Sequence, residues 1–495
     1  MRDFIKLHEN DNVVIALKEL AAGHELQVDG KTIAVKENIV PGHKIALVDI
    51  EEGTDIIKYG FPIGHASQPV AVGHHVHTHN TKTNLSDCLD YEYNPKLQEK
   101  LDLLMDREVN VYHRKNWDVG IRNELWIIPT VGCINKIAGQ IKERFLRQHE
   151  SLDIDGVFVW EHAFGCSQMG DDHETTKQIL QNIAKHPNAG GVLVVGLGCE
   201  NNQIAEFKAT LGDYDEERIR FLVAQDAQDE VEEGLKLMDE LYKTMQKDYR
   251  STALLRSLRI GLKCGGSDGF SGITGNPLLG YLSDYLVRSG GTTVLTEVPE
   301  MFGAETILMG RAANKEVFDK TVDLINDFKM YYEKNNQVCY ENPSPGNKNG
   351  GITTLEDKSL GCTQKAGTSN VVDVLKYTDR IEKNGLNLLQ GPGNDLVAVT
   401  ALGAAGCQLV LFTTGRGTPY GGFVPTVKVS TNTALAEKKP HWIDFDAGQM
   451  LTASTTDEVV EDFINYICDV CSGKWTKNEF NGFREIAIWK TGVTL

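Results

Sequence analysis

From about residue 120 to the C-terminus, apolar runs of strand length alternate with amphipathic stretches of helix length. The segment GGVLVVGLGCENNQIAEFKATL, residues 190–211, shows one such pair. A short apolar run followed by a helical pattern is typical of βαβ units, which build mostly parallel sheets covered by helices on both faces. The sequence therefore predicts an α/β fold with mostly parallel sheets for this part of the chain.

The first ninety or so residues show a different pattern of apolar and turn residues. Short apolar runs (NVVIAL, KTIAV, KIALVDI, DIIKYG) are separated by Gly and Pro turns, and no long helical period is present. This pattern predicts a small β domain. Because 495 residues are too many for one core, we expect a β domain over 1–92, a linker over 93–115, an α/β domain over 116–250 and a C-terminal α/β domain over 257–495. The charged stretch 226–250 predicts a helix with leucine and methionine facing inward.

The chain is acidic, with 50 Lys and Arg against 69 Asp and Glu and a formal net charge of −19. This balance argues against nucleic acid or an anionic membrane as a partner, because both require a basic face. No apolar run is long enough to span a bilayer, and the N-terminus lacks the pattern of a signal peptide. We therefore expect a cytoplasmic protein. Its ten cysteines then indicate metal ligation, catalysis or burial more than a disulfide framework.

Residues 73–80 read GHHVHTHN, with four histidines in six positions. In a strand, His75, His77 and His79 would lie on one face because side chains alternate with a period of two. Three neutral imidazoles on one face could hold a transition metal or bind an anionic ligand. The alternative is a polar strand end whose histidines lie in solvent.

Four cysteines share a context, since each follows an apolar run and precedes a polar or Gly-rich turn: Cys133, Cys166, Cys199 and Cys264. If each run is a parallel strand, each thiol lies near the carboxyl edge of a sheet, where open α/β sheets bind ligands. His162 and Glu200 are close to two of these cysteines in sequence. Thiolates with histidine and carboxylate nearby suit iron better than magnesium. The alternative is that these are small buried residues at strand ends.

Three Gly-rich loops contain hydroxyl, amide, ammonium and guanidinium groups: CGGSDGFSGITGNP (264–277), NPSPGNKNGG (342–351) and TTGRGTPYGG (413–422). Glycine lets backbone donors approach a ligand closely, and arginine binds a carboxylate through two parallel hydrogen bonds. This inventory fits a polyhydroxylated carboxylate, so the predicted substrate-binding residues are Ser267, Asp268, Asn276, Lys348, Arg416 and Tyr420. The chain has no Walker sequence and no GxGxxG that opens a helix, which gives a dinucleotide site little support.

Removal of a proton next to a carboxylate requires a base, for which a lysine or carboxylate with a shifted pKa is expected. Glu300 and Lys358 are of these types, and the reaction implied by the family resemblance given below makes His162, Glu300 and Lys358 the candidate catalytic acid–base groups. Each of them, taken alone, is also explained as an ion-paired or solvated group.

The motifs together resemble those of one known family. They are GHHVHTHN, RNELWIIPTVGC, HAFGCSQMGDDH, GLGCENNQ, CGGSDGFSGITGNP, TEVPEMFGAE, ENPSPGNKNGGITTLEDKSLGCTQKAG and TTGRGTPYGGFVPTVK. The chain resembles the galactarate/altronate dehydratase family from residue 1 to the C-terminal GVTL. The resemblance implies an N-terminal SAF-type β-clip domain followed by two larger regions.

The same resemblance implies a metal-dependent hydro-lyase that converts D-altronate to 2-dehydro-3-deoxy-D-gluconate in hexuronate catabolism. It implies Fe²⁺ as cofactor, for which Mn²⁺ could substitute, a sugar acid as the partner, and a chain that could assemble into a homo-oligomer. The HVHTHN stretch favours altronate over galactarate as substrate. Three alternatives stay open: a galactarate- or sulfolactate-type lyase on the same scaffold, an NAD-dependent oxidoreductase, and a non-catalytic sugar-acid binding protein.

Overall fold

A computed structural model describes residues 2–85, 88–98, 106–116 and 118–495 of the protein. A small antiparallel β region is followed by two α/β regions whose main sheets are parallel, which confirms the predicted fold class. Across these described stretches, every helix is too short or too polar to cross a membrane.

The N-terminal β region consists of short strands paired in antiparallel fashion. They are β1 (Phe4–Ile5), β2 (Val13–Ala16), β3 (Glu25–Val28), β4 (Lys31–Ala34), β5 (Lys44–Ala46), β6 (Asp55–Lys58), β7 (Phe61–Ala66), β8 (His75–Val76) and β9 (Thr81–Lys82). The β3–β4 and β6–β7 hairpins turn at Asp29-Gly30 and Tyr59-Gly60, whose four residues have φ between 49° and 77°. Positive φ at both central residues belongs to the type I′ turn, whose twist matches that of the flanking strands.

The middle region alternates strands and helices. In chain order these are β10 (Glu108–His113), β11 (Val119–Gly120), β12 (Glu124–Pro129), α1 (Asn135–Gln148), β13 (Gly156–Val159), α2 (Asp171–Ala184), β14 (Ala189–Gly196), α3 (Ile204–Ala209), β15 (Ile219–Val223), α4 (Glu230–Met245) and β16 (Arg250–Leu254). A parallel sheet has the order β13-β12-β14-β15. The charged stretch forms α4, which begins at the N-cap Asp229 and buries Leu235, Met238 and Leu241, as the sequence predicts.

Part of the predicted linker over 93–115 is a strand. Residues 108–113 form β10, which pairs antiparallel with β11 and β16, while residues 99–105 of that linker lie outside the described residues. Val109 and Val111 of β10 are buried and alternate with exposed neighbours, which is the period of a half-buried strand. Six residues of this pattern beside a long charged run are too short a signal to stand out in the sequence.

The C-terminal region is built on a seven-stranded parallel sheet. Its elements are β17 (Arg259–Cys264), α5 (Gly275–Arg288), β18 (Thr292–Leu295), α6 (Glu305–Gly310), α7 (Lys315–Lys334), α8 (Pro345–Asn349), α9 (Leu355–Cys362), β19 (Val371–Leu375), β20 (Gly385–Leu389), α10 (Asp395–Ala404), β21 (Leu409–Thr414), β22 (Thr426–Ser430), α11 (Thr433–Lys438), β23 (Phe445–Asp446), α12 (Thr456–Cys471) and α13 (Lys477–Asn481). The strand order is β19-β20-β18-β17-β21-β22-β23. The order reverses between β17 and β21, so their carboxyl ends form the crevice in which such sheets bind ligands.

The end of the chain returns to the middle region. Arg484 pairs with Glu124 of β12 through contacts of 2.6 and 2.9 Å, and the Leu495 N–H donates to the Ser167 carbonyl at 3.0 Å. Residues 484–495 therefore contact the middle region both at the amino end of β12 and at the loop that follows β13.

A buried ion triad attaches the N-terminal β region to the C-terminal region. The Asp357 carboxylate on α9 accepts from Lys44 Nζ at 2.8 Å and from Lys58 Nζ at 2.9 Å, and all three side chains are buried. Burial would raise the pKa of Asp357, but the two ammonium groups outweigh it and hold that pKa below its ordinary value. Asp357 is therefore ionised, and the triad carries one net positive charge.

Replacing Asp357 by asparagine is expected to weaken the attachment of the β region. Two buried ammonium groups would lose their carboxylate, and breaking a buried pair in this way costs roughly 3–5 kcal/mol. Urea unfolding combined with hydrogen-exchange mass spectrometry should show residues 2–85 unfolding at lower urea concentration than in the native protein. Asp319→Asn, which breaks the exposed pair of Asp319 with Lys315, is the control and should change the midpoint little. Equal midpoints for both variants would contradict this role.

Candidate active site

Three imidazoles from the N-terminal β region form a compact group, which we call the imidazole group: His43, His75 and His77. Pairing of β5 with β8 places His43 beside His75, and their Nδ1 and Nε2 atoms are 2.9 Å apart. The ring centroids of His43 and His77 are 4.8 Å apart, and one ring nitrogen from each of the three lies within 4.8 Å of the others. His77 Nδ1 is buried and lacks a hydrogen-bond partner among the described residues.

The imidazole group is neutral at physiological pH. Burial is the main cause, and it lowers the pKa of His75 to about 4 and that of His77 to about 3, while the pKa of His43 is also lowered. Neutral imidazole nitrogens are good ligands for divalent transition metals. Together with the unpartnered His77 nitrogen, this donor set fits such an ion.

The group differs in membership from the sequence prediction. The strand β8 contains only His75 and Val76, so the expected three-histidine strand face does not form. The His79 ring lies 5.5 Å from that of His75 and is not part of the gathered set. His43 takes the third place, and no local sequence signal marks it, because only the pairing of β5 with β8 brings it there.

The imidazole group lies against the NPSPGNKNGG loop of the C-terminal region. His43 Nε2 is 3.3 Å from the Asn349 carbonyl, and Lys44 Nζ donates to the Gly351 carbonyl at 2.7 Å. A Cβ atom at Gly351 would lie 2.3 Å from the Gly42 carbonyl, so this approach requires glycine. Lys348, a predicted substrate-binding residue, is half-buried in α8 of the same loop.

A second cluster is buried at the carboxyl ends of β17 and β18. The Sγ atoms of Cys264 and Cys362 are 3.4 Å apart, and they lie 3.2 and 3.1 Å from Glu300 Oε2. Lys365 Nζ lies 2.8 Å from Cys264 Sγ, and Lys358 Nζ lies 2.7 Å from Glu300 Oε1. We call these five residues the thiol–carboxylate cluster. Cys362, at the end of α9, was not predicted as a site residue.

Charges in and around this cluster are nearly balanced. Lys263 pairs with Glu297 and contacts Asp395 at 2.9 Å, and Lys365 contacts Glu297 at 2.8 Å. With the Glu300–Lys358 pair, three ammonium groups therefore face three carboxylates in a buried volume. Glu297 has φ of 70°, a left-handed conformation that is uncommon for residues other than glycine.

The protonation states follow from this arrangement. Burial disfavours charge on Lys358, but the neighbouring Glu300 carboxylate outweighs it and raises the pKa of Lys358 above its ordinary value. Glu300 has a pKa below its ordinary value because Lys358 and two further lysines outweigh its burial. The hydrogen bond to Cys264 and burial raise the pKa of Cys362 well above its ordinary value. Lys358 is therefore a charged proton donor, and Cys362 is a neutral thiol.

A narrow cavity joins the ion triad to the thiol–carboxylate cluster. Its walls include Lys58, Tyr59, Ser267, Lys358 and Cys362. The Ser267 hydroxyl is buried and has no hydrogen-bond partner among the described residues. Two ammonium groups and an unpartnered hydroxyl line this cavity together with two carboxylates, and its volume of about 10 Å³ is the space of about one water molecule.

The remaining predicted substrate-binding residues have other positions. Asp268 accepts hydrogen bonds from Ser271, Thr431 and Asn432 side chains, and so joins two loops at the β17–β21 crevice. Asn276 and Tyr420 are buried, with side-chain hydrogen bonds within the region, whereas Arg416 is exposed beside the crevice.

Four predicted residues lie on loops that follow strands of the middle sheet and belong to neither cluster: His162, Cys133, Cys166 and Cys199. His162 Nε2 lies 2.8 Å from the Pro129 carbonyl, and its Nδ1 accepts from the Phe164 N–H at 3.2 Å. Both ring nitrogens are therefore engaged with backbone, which favours a structural role for His162. The three cysteines follow strands of a different sheet from that of Cys264, and among the described residues they are not gathered with it within 4.8 Å.

The fold and the site together describe a three-part α/β enzyme. Family models match three successive stretches: an altronate/galactarate dehydratase SAF domain at residues 2–84, the second domain of D-galactarate dehydratase/altronate hydrolase at 111–246, and the C-terminal D-galactarate/altronate dehydratase region at 255–494. The chain belongs to the galactarate/altronate dehydratase family.

Curated relatives cover the chain almost completely. It is 59% identical over 497 residues to an altronate dehydratase from Bacillus subtilis strain 168, with all of both chains covered. It is 57% identical over 493 residues to an altronate dehydratase from Escherichia coli K12, covering 99% of this chain and 100% of the relative. It is 34% identical over 491 residues to a galactarate dehydratase (L-threo-forming) from the same strain, covering 95% and 93%.

His77→Ala is expected to remove tightly bound divalent metal, because it deletes one of three gathered donors. Loss of even an outer-shell partner costs about 10–100-fold in metal affinity, so the loss here should be at least as large. The measurement is metal content by mass spectrometry after anaerobic loading with Fe²⁺ and dialysis.

The matched control is His113→Ala, an exposed histidine at the end of β10, which should retain the metal. If His77→Ala retains it and Cys362→Ala does not, the thiol–carboxylate cluster is the binding site instead.

Proposed function

We propose that the protein is an altronate dehydratase that converts D-altronate to 2-dehydro-3-deoxy-D-gluconate. The observation that carries this proposal is the 57–59% identity over the whole chain to two altronate dehydratases, against 34% to a galactarate dehydratase. The reaction removes the proton from C2, next to the carboxylate, and expels the C3 hydroxyl group. The resulting enol then tautomerises to the ketone.

The imidazole group would hold the divalent metal, and we propose Fe²⁺, with Mn²⁺ as a substitute. A bound divalent ion supplies positive charge that stabilises the anion formed when a proton leaves a carbon next to a carboxylate. The thiol–carboxylate cluster is the weaker candidate for this ion, because its thiols already donate to Glu300 and an ammonium group contacts Cys264. The imidazole group has an unpartnered nitrogen instead.

We propose that the carboxylate end of the sugar acid binds at the cavity between the triad and the thiol–carboxylate cluster, which must widen beyond its volume of about 10 Å³ to admit it. Lys58, one of the two ammonium groups that share the Asp357 carboxylate, lines this cavity with the unpartnered Ser267 hydroxyl. We propose that both bind oxygen atoms of the substrate, the ammonium group acting on the carboxylate. Since the pairing partner Asp357 keeps Lys58 charged and in place, little reorganisation is needed when the substrate binds.

Lys358 would donate the proton that the departing C3 hydroxyl group requires. Lys358 lines the cavity, and its Nζ is held by Glu300 Oε1 at 2.7 Å and by Asn342 Oδ1 at 2.9 Å. Glu300 accepts contacts from two thiols as well, so it is a weak base and acts by positioning Lys358. His162 has no part in this proposal, because both its nitrogens contact backbone.

The proposal is tested by a dehydration assay on D-altronate, with galactarate and D-mannonate in parallel. Protein purified anaerobically is stripped with chelator and reloaded separately with Fe²⁺, Mn²⁺, Mg²⁺ or Zn²⁺. We expect turnover of altronate that returns with Fe²⁺ or Mn²⁺. Turnover of galactarate alone would place the protein in the other branch of the family, and no turnover of any sugar acid would overturn the proposed activity.

Lys358→Met should lower kcat for altronate by about 10²–10⁴-fold, the usual contribution of a general acid. Lys358→Arg should not restore the rate, since the larger planar guanidinium group does not fit the place of the ammonium between Glu300 and Asn342. The control is Lys315→Met, an exposed lysine on α7, which should match the native rate. Equal rates for Lys358→Met and the native enzyme would rule out this role.

A further inference from the structure

Three free cysteines lie on loops at the carboxyl edge of the middle sheet. Cys133 follows β12, Cys166 follows β13 and Cys199 follows β14, and these three strands are adjacent in the order β13-β12-β14. All three residues are exposed. Neighbouring strands are about 4.8 Å apart, so the topology brings to one edge three thiols that are 33 residues apart in sequence.

Backbone hydrogen bonds join the loops that carry these thiols. The Gly132 N–H donates to the Phe164 carbonyl at 2.8 Å, which connects the Cys133 and Cys166 loops. The Asn202 N–H donates to the Gly165 carbonyl at 3.1 Å, which connects the Cys166 and Cys199 loops.

Side chains complete this connection. Asn202 Nδ2 donates to the Thr130 carbonyl at 3.1 Å, and Thr130 Oγ1 donates to Glu200 Oε1 at 2.7 Å. The chain end contributes through the Leu495 N–H, which donates to the carbonyl of Ser167. The three loops are therefore held as one unit, and the thiols are positioned by a rigid frame.

Unpartnered buried polar atoms accompany each cysteine. Among the described residues, no hydrogen-bond partner is found for Asn135 Oδ1, Gln168 Nε2 and Asn202 Oδ1, which lie two or three positions after Cys133, Cys166 and Cys199 respectively. Gln168 is 3% exposed and Asn202 1%. Buried polar groups without partners are costly, and sulfur acceptors at this edge would relieve the cost at Gln168 Nε2, the donor among these three atoms.

The spacing of the thiols favours a cluster over a single ion. In the part of the chain that the structure describes, these three sulfurs are not all within 4.8 Å of one another. The ring nitrogens of the imidazole group are that close, and so are the donor atoms of Cys264, Glu300 and Cys362. Thiolates that bind one ion are each about 2.3 Å from it and are therefore close together. Thiolates of an iron–sulfur cluster bind different irons, so they are further apart. Cys133 and Cys166 also line a common open cleft that has room for such a group.

We propose that Cys133, Cys166 and Cys199 bind a [4Fe–4S] cluster at this edge. Three thiolates leave one iron without a cysteine ligand, since such clusters ordinarily take four. That iron would face the open cleft beside His162 and Glu161. The inference does not rest on the proposed function, because the residues belong to another sheet and no step assigned to the active site uses them.

The test is anaerobic reconstitution of the full chain with equal amounts of Fe²⁺ and Fe³⁺ and with sulfide, which balances the two ferrous and two ferric ions of a [4Fe–4S]²⁺ cluster, followed by chemical analysis, Mössbauer spectroscopy and, after dithionite reduction, EPR spectroscopy. We expect about four iron and four sulfide ions per chain, the content of a [4Fe–4S] cluster, beyond any iron at the imidazole group. The triple variant Cys133→Ser/Cys166→Ser/Cys199→Ser should bind no sulfide. Each single variant should lose most of the cluster.

Two controls keep the result interpretable. Cys88→Ser removes an exposed thiol outside this edge and should retain the cluster, and circular dichroism should show that the triple variant is folded. Iron or zinc bound to the native thiols without sulfide would overturn the proposal, and so would equal sulfide content in the native and triple-variant proteins. Altronate turnover is measured separately, so a failed dehydratase assay does not decide this question.

Discussion

The position of the active site depends on one buried carboxylate, Asp357, between Lys44 and Lys58. The two lysines belong to the N-terminal β region and the aspartate to α9 of the C-terminal region, so the triad fixes one region against the other. Buried charges are tolerated only when they are paired and hydrogen-bonded. Any shift between the two regions would leave a charge unpaired, which makes their relative position precise.

The imidazole group and the cavity both result from this attachment. Lys44 directly follows His43, so the residue that anchors the β region also places one imidazole against the Asn349 carbonyl. On the other side, α9 begins near Asp357 and ends at Cys362 in the thiol–carboxylate cluster. One short helix therefore links the docking contact to the buried acid and thiol groups, and its eight residues are all buried.

Much of the architecture could be predicted from local patterns. The alternation of strand and helix periods predicted the parallel sheets, and the Gly and Pro spacing predicted the N-terminal β region. The pattern of α4 was readable because leucine and methionine recur at helical spacing over sixteen residues. The strand β10 was missed, since six residues of alternation beside a charged run carry too little periodic signal. The site was only partly predictable: Glu300 and Lys358 do form an ion pair, whereas Asn276 and Tyr420 form hydrogen bonds within the C-terminal region.

The sequence by itself determined most of the strands, helices and turns, and it placed cysteines and Gly-rich loops at the ends of strands. Those properties depend on residues near one another in the chain. The tertiary structure alone decided that His43 joins His75, which is 32 residues away, and that Cys362 meets Cys264 across 98 residues. Strand pairing and the docking of α9 bring these groups together. Such contacts depend on burial and charge pairing over the whole molecule, and no local pattern encodes them.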